Sequence, residues 1–148
     1  MSDDPTFFHV QDRLLGVLLA WGVGSVAGGA PGLLSRNPVL RQAGVQLIAW
    51  GAIDAALALL GRRSARASIR RGATDGPHQA RRFRTILLIN TVLDAGYVAG
   101  GWALVRGAKG RGERVGMGLG IMTQGLFLLL YDSALAAMVG RWTREVER

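Results

Sequence analysis

Residues Leu87 to Leu104 read LLINTVLDAGYVAGGWAL, an apolar run that covers most of a bilayer crossing yet is interrupted by Asn90, Asp94 and Tyr97. A carboxylate exposed to lipid at mid-depth costs roughly 2.5–3.5 kcal/mol or more. A helix carrying one therefore turns it inward, onto other helices. The run predicts a membrane helix that belongs to a bundle, and the rest of the chain supplies the partners.

Four segments are long enough to cross a bilayer, which takes about 20 residues. They run over about 14–34, 39–60, 86–105 and 115–139. The connections SRNPVLRQ and RGAKGRGER are short, so neighbouring helices are antiparallel. The expected fold is all-α: a four-transmembrane-helix bundle in a single integral membrane domain over residues 1–148. Composition agrees. Twenty-two glycines among 148 residues would weaken soluble helices by about 1 kcal/mol each, whereas small residues let membrane helices approach closely. The absence of cysteine excludes disulfides, thiolate metal sites and cysteine nucleophiles.

The net charge of +8 raises the question of nucleic acid, and its placement answers it. Eight arginines lie in RRSARASIRRGATDGPHQARRFR (Arg62–Arg84), with one aspartate and Phe83 as the lone aromatic. This reads as a basic loop, 61–85, on the cytoplasmic side of a membrane, suited to anionic lipid headgroups and not to nucleic acid. The side that holds both termini and this loop carries twelve basic residues and the opposite side six. Both termini are therefore expected in the cytoplasm, in a multi-pass protein of the inner or plasma membrane. The leader MSDDPTFFHVQDR is acidic, and the run behind it is too long for a cleaved signal.

Two pairs of segments repeat in the same order. Gly24-Ser25-Val26-Ala27-Gly28-Gly29 matches Gly96-Tyr97-Val98-Ala99-Gly100-Gly101, and Gln46 with Asp54-Ala55-Ala56-Leu57-Ala58 matches Gln124 with Asp132-Ser133-Ala134-Leu135-Ala136. The chain reads as a two-helix unit, helices 1–2, duplicated as helices 3–4. Parallel repeats of this kind hold their sites where the copies meet. Gly24/Gly28, Gly96/Gly100 and Gly116/Gly120 are Gly-x-x-x-Gly pairs, which favour close helix contacts within the chain or in a homo-oligomer.

Counted from the helix ends, Asp54, Asp94 and Asp132 lie about 9–12 Å deep at 1.5 Å per residue, near one level. Trp21 falls at the same level, while Gln46 and Gln124 form a layer further out. Gln46, Trp50 and Asp54 share a face at i, i+4, i+8; Asn90, Asp94 and Tyr97 share another, and Gln124, Tyr131 and Asp132 a third. Three close carboxyls do not all ionise without a counter-charge. A proton or cation among them implies a transporter or channel-like protein. An acid beside its conjugate base implies a membrane enzyme acting on an isoprenoid or other lipid. Arg13, Arg62, Arg84 or Arg141 reaching in would make a structural or assembly subunit. The transport reading leads, with Asp54, Asp94 and Asp132 as proton or cation ligands and the other polar and aromatic residues as cavity lining.

Other chemistry is not legible. Gly107–Gly120 matches neither a Walker A loop nor a dinucleotide fingerprint. His9 and His78 lie outside the spans, so no haem, zinc site, other metal or cofactor is expected. Ser25 and Ser133 have no histidine at their depth. The layout, and the segments WGAIDAALALLGRR and LDAGYVAGG in particular, resembles small uncharacterised four-helix membrane proteins of GC-rich bacteria, a domain of unknown function. That resemblance implies the fold and carries no activity.

Overall fold

Asn37 and Pro38 begin the second helix as a cap should. The Asn37 side chain accepts a hydrogen bond from the Val39 amide at 2.9 Å, and Pro38 occupies the first turn, where its missing N–H costs nothing. At the far end Gly72, with φ +63°, closes the same helix through hydrogen bonds back to Ile69 and, from Ala73, to Ser68. The computed structural model describes residues 6–146. They form α1 (Phe7–Leu33), α2 (Pro38–Arg70), α3 (Gly76–Arg106) and α4 (Gly112–Val146). Arg148 and the first five residues of the acidic leader lie outside the described residues.

All four helices are long and apolar enough to cross a membrane, and the chain has the architecture of a multi-pass membrane protein. Within their apolar windows only 17–28% of residues are buried. Leu, Val and Ile side chains cover the outside, while Gln11, Ser25, Asp54, Asp94, Gln124 and Asp132 are buried inside. A surface this apolar needs a solvent other than water. At the end holding the α1–α2 and α3–α4 turns, here the distal end, the helices stop close to the expected span limits. At the terminal end each overshoots them, and the expected loop over 61–85 is largely helix. Only residues 71–75 separate α2 from α3. The arginines that break the hydropathy pattern are good helix formers, so polarity ends the membrane span without ending the helix.

The helices pair as two antiparallel hairpins, α1 with α2 and α3 with α4. Each hairpin is built on a strict seven-residue seam of buried positions: Phe8, Leu15, Gly22 and Gly29 on α1 face Gly44, Gly51, Ala58 and Ala65 on α2. The second hairpin repeats it with Ala80, Leu87, Asp94 and Gly101 on α3 and Gly118, Gly125, Asp132 and Val139 on α4. A seven-residue repeat keeps a seam facing its partner through left-handed coiling. A methyl group on Gly29 would sit 2.7 Å from the Gly44 carbonyl oxygen, and one on Gly101 would sit 2.7 Å from that of Gly118. Gly51 approaches Ser25 as Gly125 approaches Tyr97.

These contacts correct the register of the repeat. Gly22 and Gly29 become Asp94 and Gly101 by a shift of 72, as the VAGG match indicates, but Gly44 and Gly51 become Gly118 and Gly125 by a shift of 74. The Gln46/Gln124 and Asp54/Asp132 matches need 78, one helical turn more. Packing equates Gln124 with Trp50 and Asp132 with Ala58, and Gln46 with Gly120. Gln46 and Gly120 touch each other directly, as equivalent residues at a twofold axis must. The hairpins meet through α2 and α4 at the distal end, where Gly116 lies on the Val39 carbonyl, and through α1 and α3 at the terminal end, where Phe7 lies on Gly76.

The Gly-x-x-x-Gly pairs divide accordingly. Gly116/Gly120 packs against α2, whereas Gly24/Gly28 and Gly96/Gly100 face outward with nothing within 4 Å. At the terminal end Phe7 packs edge-on to Phe83 (5.9 Å between centroids) and against Trp142 (5.2 Å). Trp142 thus joins a core cluster, while Trp102 is half exposed with Arg106 over its ring. Asp12 of α1 accepts hydrogen bonds from Arg62 and Arg66 of α2 at 2.9 and 3.0 Å.

The seam gives a direct test. Gly44→Ala and Gly51→Ala each force a methyl against backbone and are expected to lower stability by about 1–3 kcal/mol. Gly24→Ala and Gly96→Ala, with open space around them, are expected to hold or raise it. Thermal unfolding in detergent, followed by circular dichroism, separates the two classes.

Candidate functional site

Beyond the seam, the two hairpins leave matching gaps on opposite sides of the bundle, one between α1 and α4 and one between α2 and α3. The α1–α4 gap is filled. Trp21 stacks on Phe127 with centroids 3.8 Å apart, and Phe127 stacks on Tyr131. The Trp21 indole N–H donates to Gln124 Oε1 at 2.7 Å, and the Tyr131 hydroxyl donates to the Leu14 carbonyl at 2.7 Å. By the packing register, the counterparts of Trp21, Phe127 and Tyr131 on the other side are Leu93, Ile53 and Leu57. Three aromatic rings are replaced by three branched aliphatic chains, and a cleft of about 270 Å³ remains.

The cleft gathers six of the residues marked by sequence: Trp50, Asp54, Asn90, Asp94, Tyr97 and Asp132. All three aspartates are buried, at 4%, 3% and 5% exposure. Asp94 and Asp132 lie next to each other in the cleft, with Asn90 beside them. Asp54 faces both across the cleft. Its counterpart on α4 is Leu128, which puts Asp132 one turn nearer the terminal end. One carboxylate oxygen of Asp54 and one of Asp94, both Oδ2, have no hydrogen-bond partner. Trp50 and Tyr97 stand together at 5.0 Å between centroids, tilted by 59°.

Among the described residues, no arginine lines the cleft. Arg62 is held by Asp12, and Arg84 donates to the Ala136 carbonyl at 3.3 Å. The cluster is therefore not the carboxylate–arginine knot of the structural reading. Among the described residues no group of three His, Cys, Asp or Glu side chains is disposed to hold a metal ion.

Four other marked residues lie elsewhere. Trp21, Gln124 and Tyr131 belong to the filled gap, and Gln46 packs on Gly120 near the twofold axis. Gln124 is almost completely buried, and its Nε2 has no partner. The aliphatic wall of the cleft, Leu18, Ile53, Leu57, Leu93 and Leu128, carried no polar signal. The seven-residue seam alone would have located it, by showing which positions correspond to the aromatic plug.

The model of a family of unknown function, DUF6992, matches residues 17–133. The chain belongs to that family. No curated protein and no solved structure matches it. The span shared with DUF6992 contains every residue of the cleft and of the aromatic plug. It omits the terminal-end contacts of Phe7, Asp12 and Trp142.

The plug and the cleft are separable in this DUF6992 chain. Tyr131→Phe removes one hydrogen bond to a backbone carbonyl and is expected to lower stability by about 1 kcal/mol. Chemical unfolding in mixed micelles measures it, and an unchanged midpoint would show that the bond contributes nothing.

Proposed function

We propose that this protein is a small proton-linked membrane carrier whose Asp54, Asp94 and Asp132 take up a proton or a cation in alternation. One observation carries the reading: three buried carboxyls from three helices converge on an open cleft with no basic side chain among them. Buried charge of one sign requires neutralisation. In this reading the neutralising group is exchangeable, since none of the described residues lining the cleft is basic. In the same reading Asn90 orients Asp132, and Trp50 and Tyr97 wall the site. Membrane carriers concentrate such groups at the junction of repeats, and the cleft is bounded by both hairpins.

The accompanying orientation puts both termini and the α2–α3 turn in the cytoplasm of a cell whose inner or plasma membrane holds the protein. The twelve-to-six distribution of basic residues supports it. The exposed arginines of the terminal-end overhangs, such as Arg63, Arg70 and Arg82, then lie at headgroup level and bind anionic lipid. Since the chain has no cysteine, single replacements report sidedness cleanly. In intact cells Lys109→Cys is expected to react with a membrane-impermeant maleimide and Ala73→Cys to be protected; the reverse pattern inverts the topology.

Activity is tested in proteoliposomes carrying an internal pH indicator and an imposed pH gradient, with sodium, potassium or an organic ammonium salt outside. Wild type is expected to collapse the gradient with at least one of these cations. Asp94→Asn and Asp132→Asn are expected to hold it. Wild-type vesicles that keep the gradient as well as protein-free ones, with every cation supplied, overturn the carrier reading.

A further inference from the structure

The α2–α3 cleft combines three features that rarely occur together at bilayer depth. Its floor is acidic, and Asp54 Oδ2 and Asp94 Oδ2 are buried there without hydrogen-bond partners. One wall is aromatic, formed by the tilted Trp50–Tyr97 pair. Its rim is aliphatic and open to the side. Ile53, Leu57 and Leu93 are 48%, 58% and 52% exposed, and α2 and α3 make no extended contact that would close the gap.

We propose that this cleft binds a small organic ammonium ion that enters laterally from the bilayer, its charge held by Asp54 and Asp94 and its substituents against Trp50 and Tyr97. The inference rests on the carboxylate cluster being the exchange site of the carrier reading and names the class of its cargo. An inorganic divalent cation needs several oxygen ligands disposed around one point, and among the described residues no three Asp, Glu, His or Cys side chains are so disposed. It also has no reason to approach through an aliphatic rim. An ammonium ion with apolar substituents partitions into the interface, passes such a rim and finds both an anion and ring faces, the pairing that recognises quaternary ammonium groups. The cleft volume, about 270 Å³, lies just below the roughly 300–1,000 Å³ of drug-sized pockets. The cargo is therefore one ammonium carrying a single ring or a short chain.

Proton and cation compete for the same oxygens. The titratable groups facing the site are Asp54 from α2, Asp94 and Tyr97 from α3 and Asp132 from α4, while α1 contributes only Leu18. With a fixed-charge probe, which brings no proton of its own, binding to the protonated cluster releases a proton to solvent. Affinity accordingly rises as pH rises.

The probe is benzyltrimethylammonium, titrated calorimetrically into the full chain in lipid nanodiscs, with the uncharged isostere neopentylbenzene as control. Saturable one-to-one binding is expected, tightening with pH and absent for the isostere. Asp54→Asn and Asp94→Asn are each expected to weaken it roughly tenfold or more. Leu93→Trp places the ring of Trp21 at the equivalent position, fills the cleft and is expected to abolish binding while melting as wild type does. Asp12→Asn, at the terminal end, is expected to bind normally.

Equal binding of the isostere, or unchanged affinity in both Asp→Asn variants or in Leu93→Trp, overturns the proposal. Proteoliposomes that collapse a pH gradient with sodium or potassium, from a protein that does not bind benzyltrimethylammonium, overturn the cargo and leave the carrier standing. Binding without any flux removes the carrier and leaves the site.

Discussion

Backbone lies on backbone along the α1–α2 seam, and this contact governs the rest of the molecule. Lipid offers helices no hydrophobic reason to associate, so close packing of small residues does that work instead. Gly22, Gly29, Gly44 and Gly51 bring two helices to a separation at which even a methyl group would strike a carbonyl oxygen. Their spacing of seven fixes which residues of each helix face the partner hairpin. In the second hairpin the same seam admits Asp94 where the first has Gly22, and Asp132 where it has Ala58. The carboxyls are set into the seam itself, held by the contacts that hold the fold. Their positions are as rigid as the hairpin.

The approximate twofold relation between the hairpins turns a comparison of sequences into a comparison of sites. Two equivalent gaps exist, and the chain treats them differently. One receives Trp21, Phe127 and Tyr131 and two hydrogen bonds, and it locks α1 to α4. The other receives Leu93, Ile53 and Leu57, with Asp54 opposite the position where α4 has Leu128. Filling both gaps with rings would have gained packing on both sides. The second gap stays acidic and unfilled, which is the asymmetry on which the proposed binding site rests.

Much of this was legible in the residues. Four apolar runs mark the helices, and Asp94 in LLINTVLDAGYVAGGWAL marks a helix that turns a polar face inward. The counted depths brought Asp54, Asp94 and Asp132 near one level, and the structure brings them around one cleft. The VAGG match gave the register of α3 on α1. The conspicuous Gln46 and Gln124 point to a register of α4 on α2 that is one turn off, because a polar side chain has length enough to serve from either of two successive turns. A glycine in contact with a carbonyl has no such latitude, so Gly44, Gly51, Gly118 and Gly125 hold the true correspondence. The basic stretch reads as a loop and folds as helix because arginine interrupts hydropathy while leaving helix propensity intact. Depth places Trp21 with the aspartates and a shared arc of α4 places Gln124 and Tyr131 with Asp132, but neither says on which side of the bundle a residue stands.

What neutralises Asp94 is now a sharper question than why a charge is present. Asp132 lies beside Asp94, the Asp94 Oδ2 has no partner, and Asp54 faces it with another unpartnered oxygen. Leaving a buried acceptor unsatisfied costs about 1–3 kcal/mol, and the fold supplies neither oxygen with a donor. The helices carry arginines long enough to help, yet Arg62 turns to Asp12 and Arg84 to a backbone carbonyl. The terminal-end contacts and the aromatic plug stabilise the bundle without drawing on the cleft. The fold thus stands on one set of interactions and leaves another incomplete. In the carrier proposed above, that incomplete acidic site is completed by a positively charged group that arrives and leaves again.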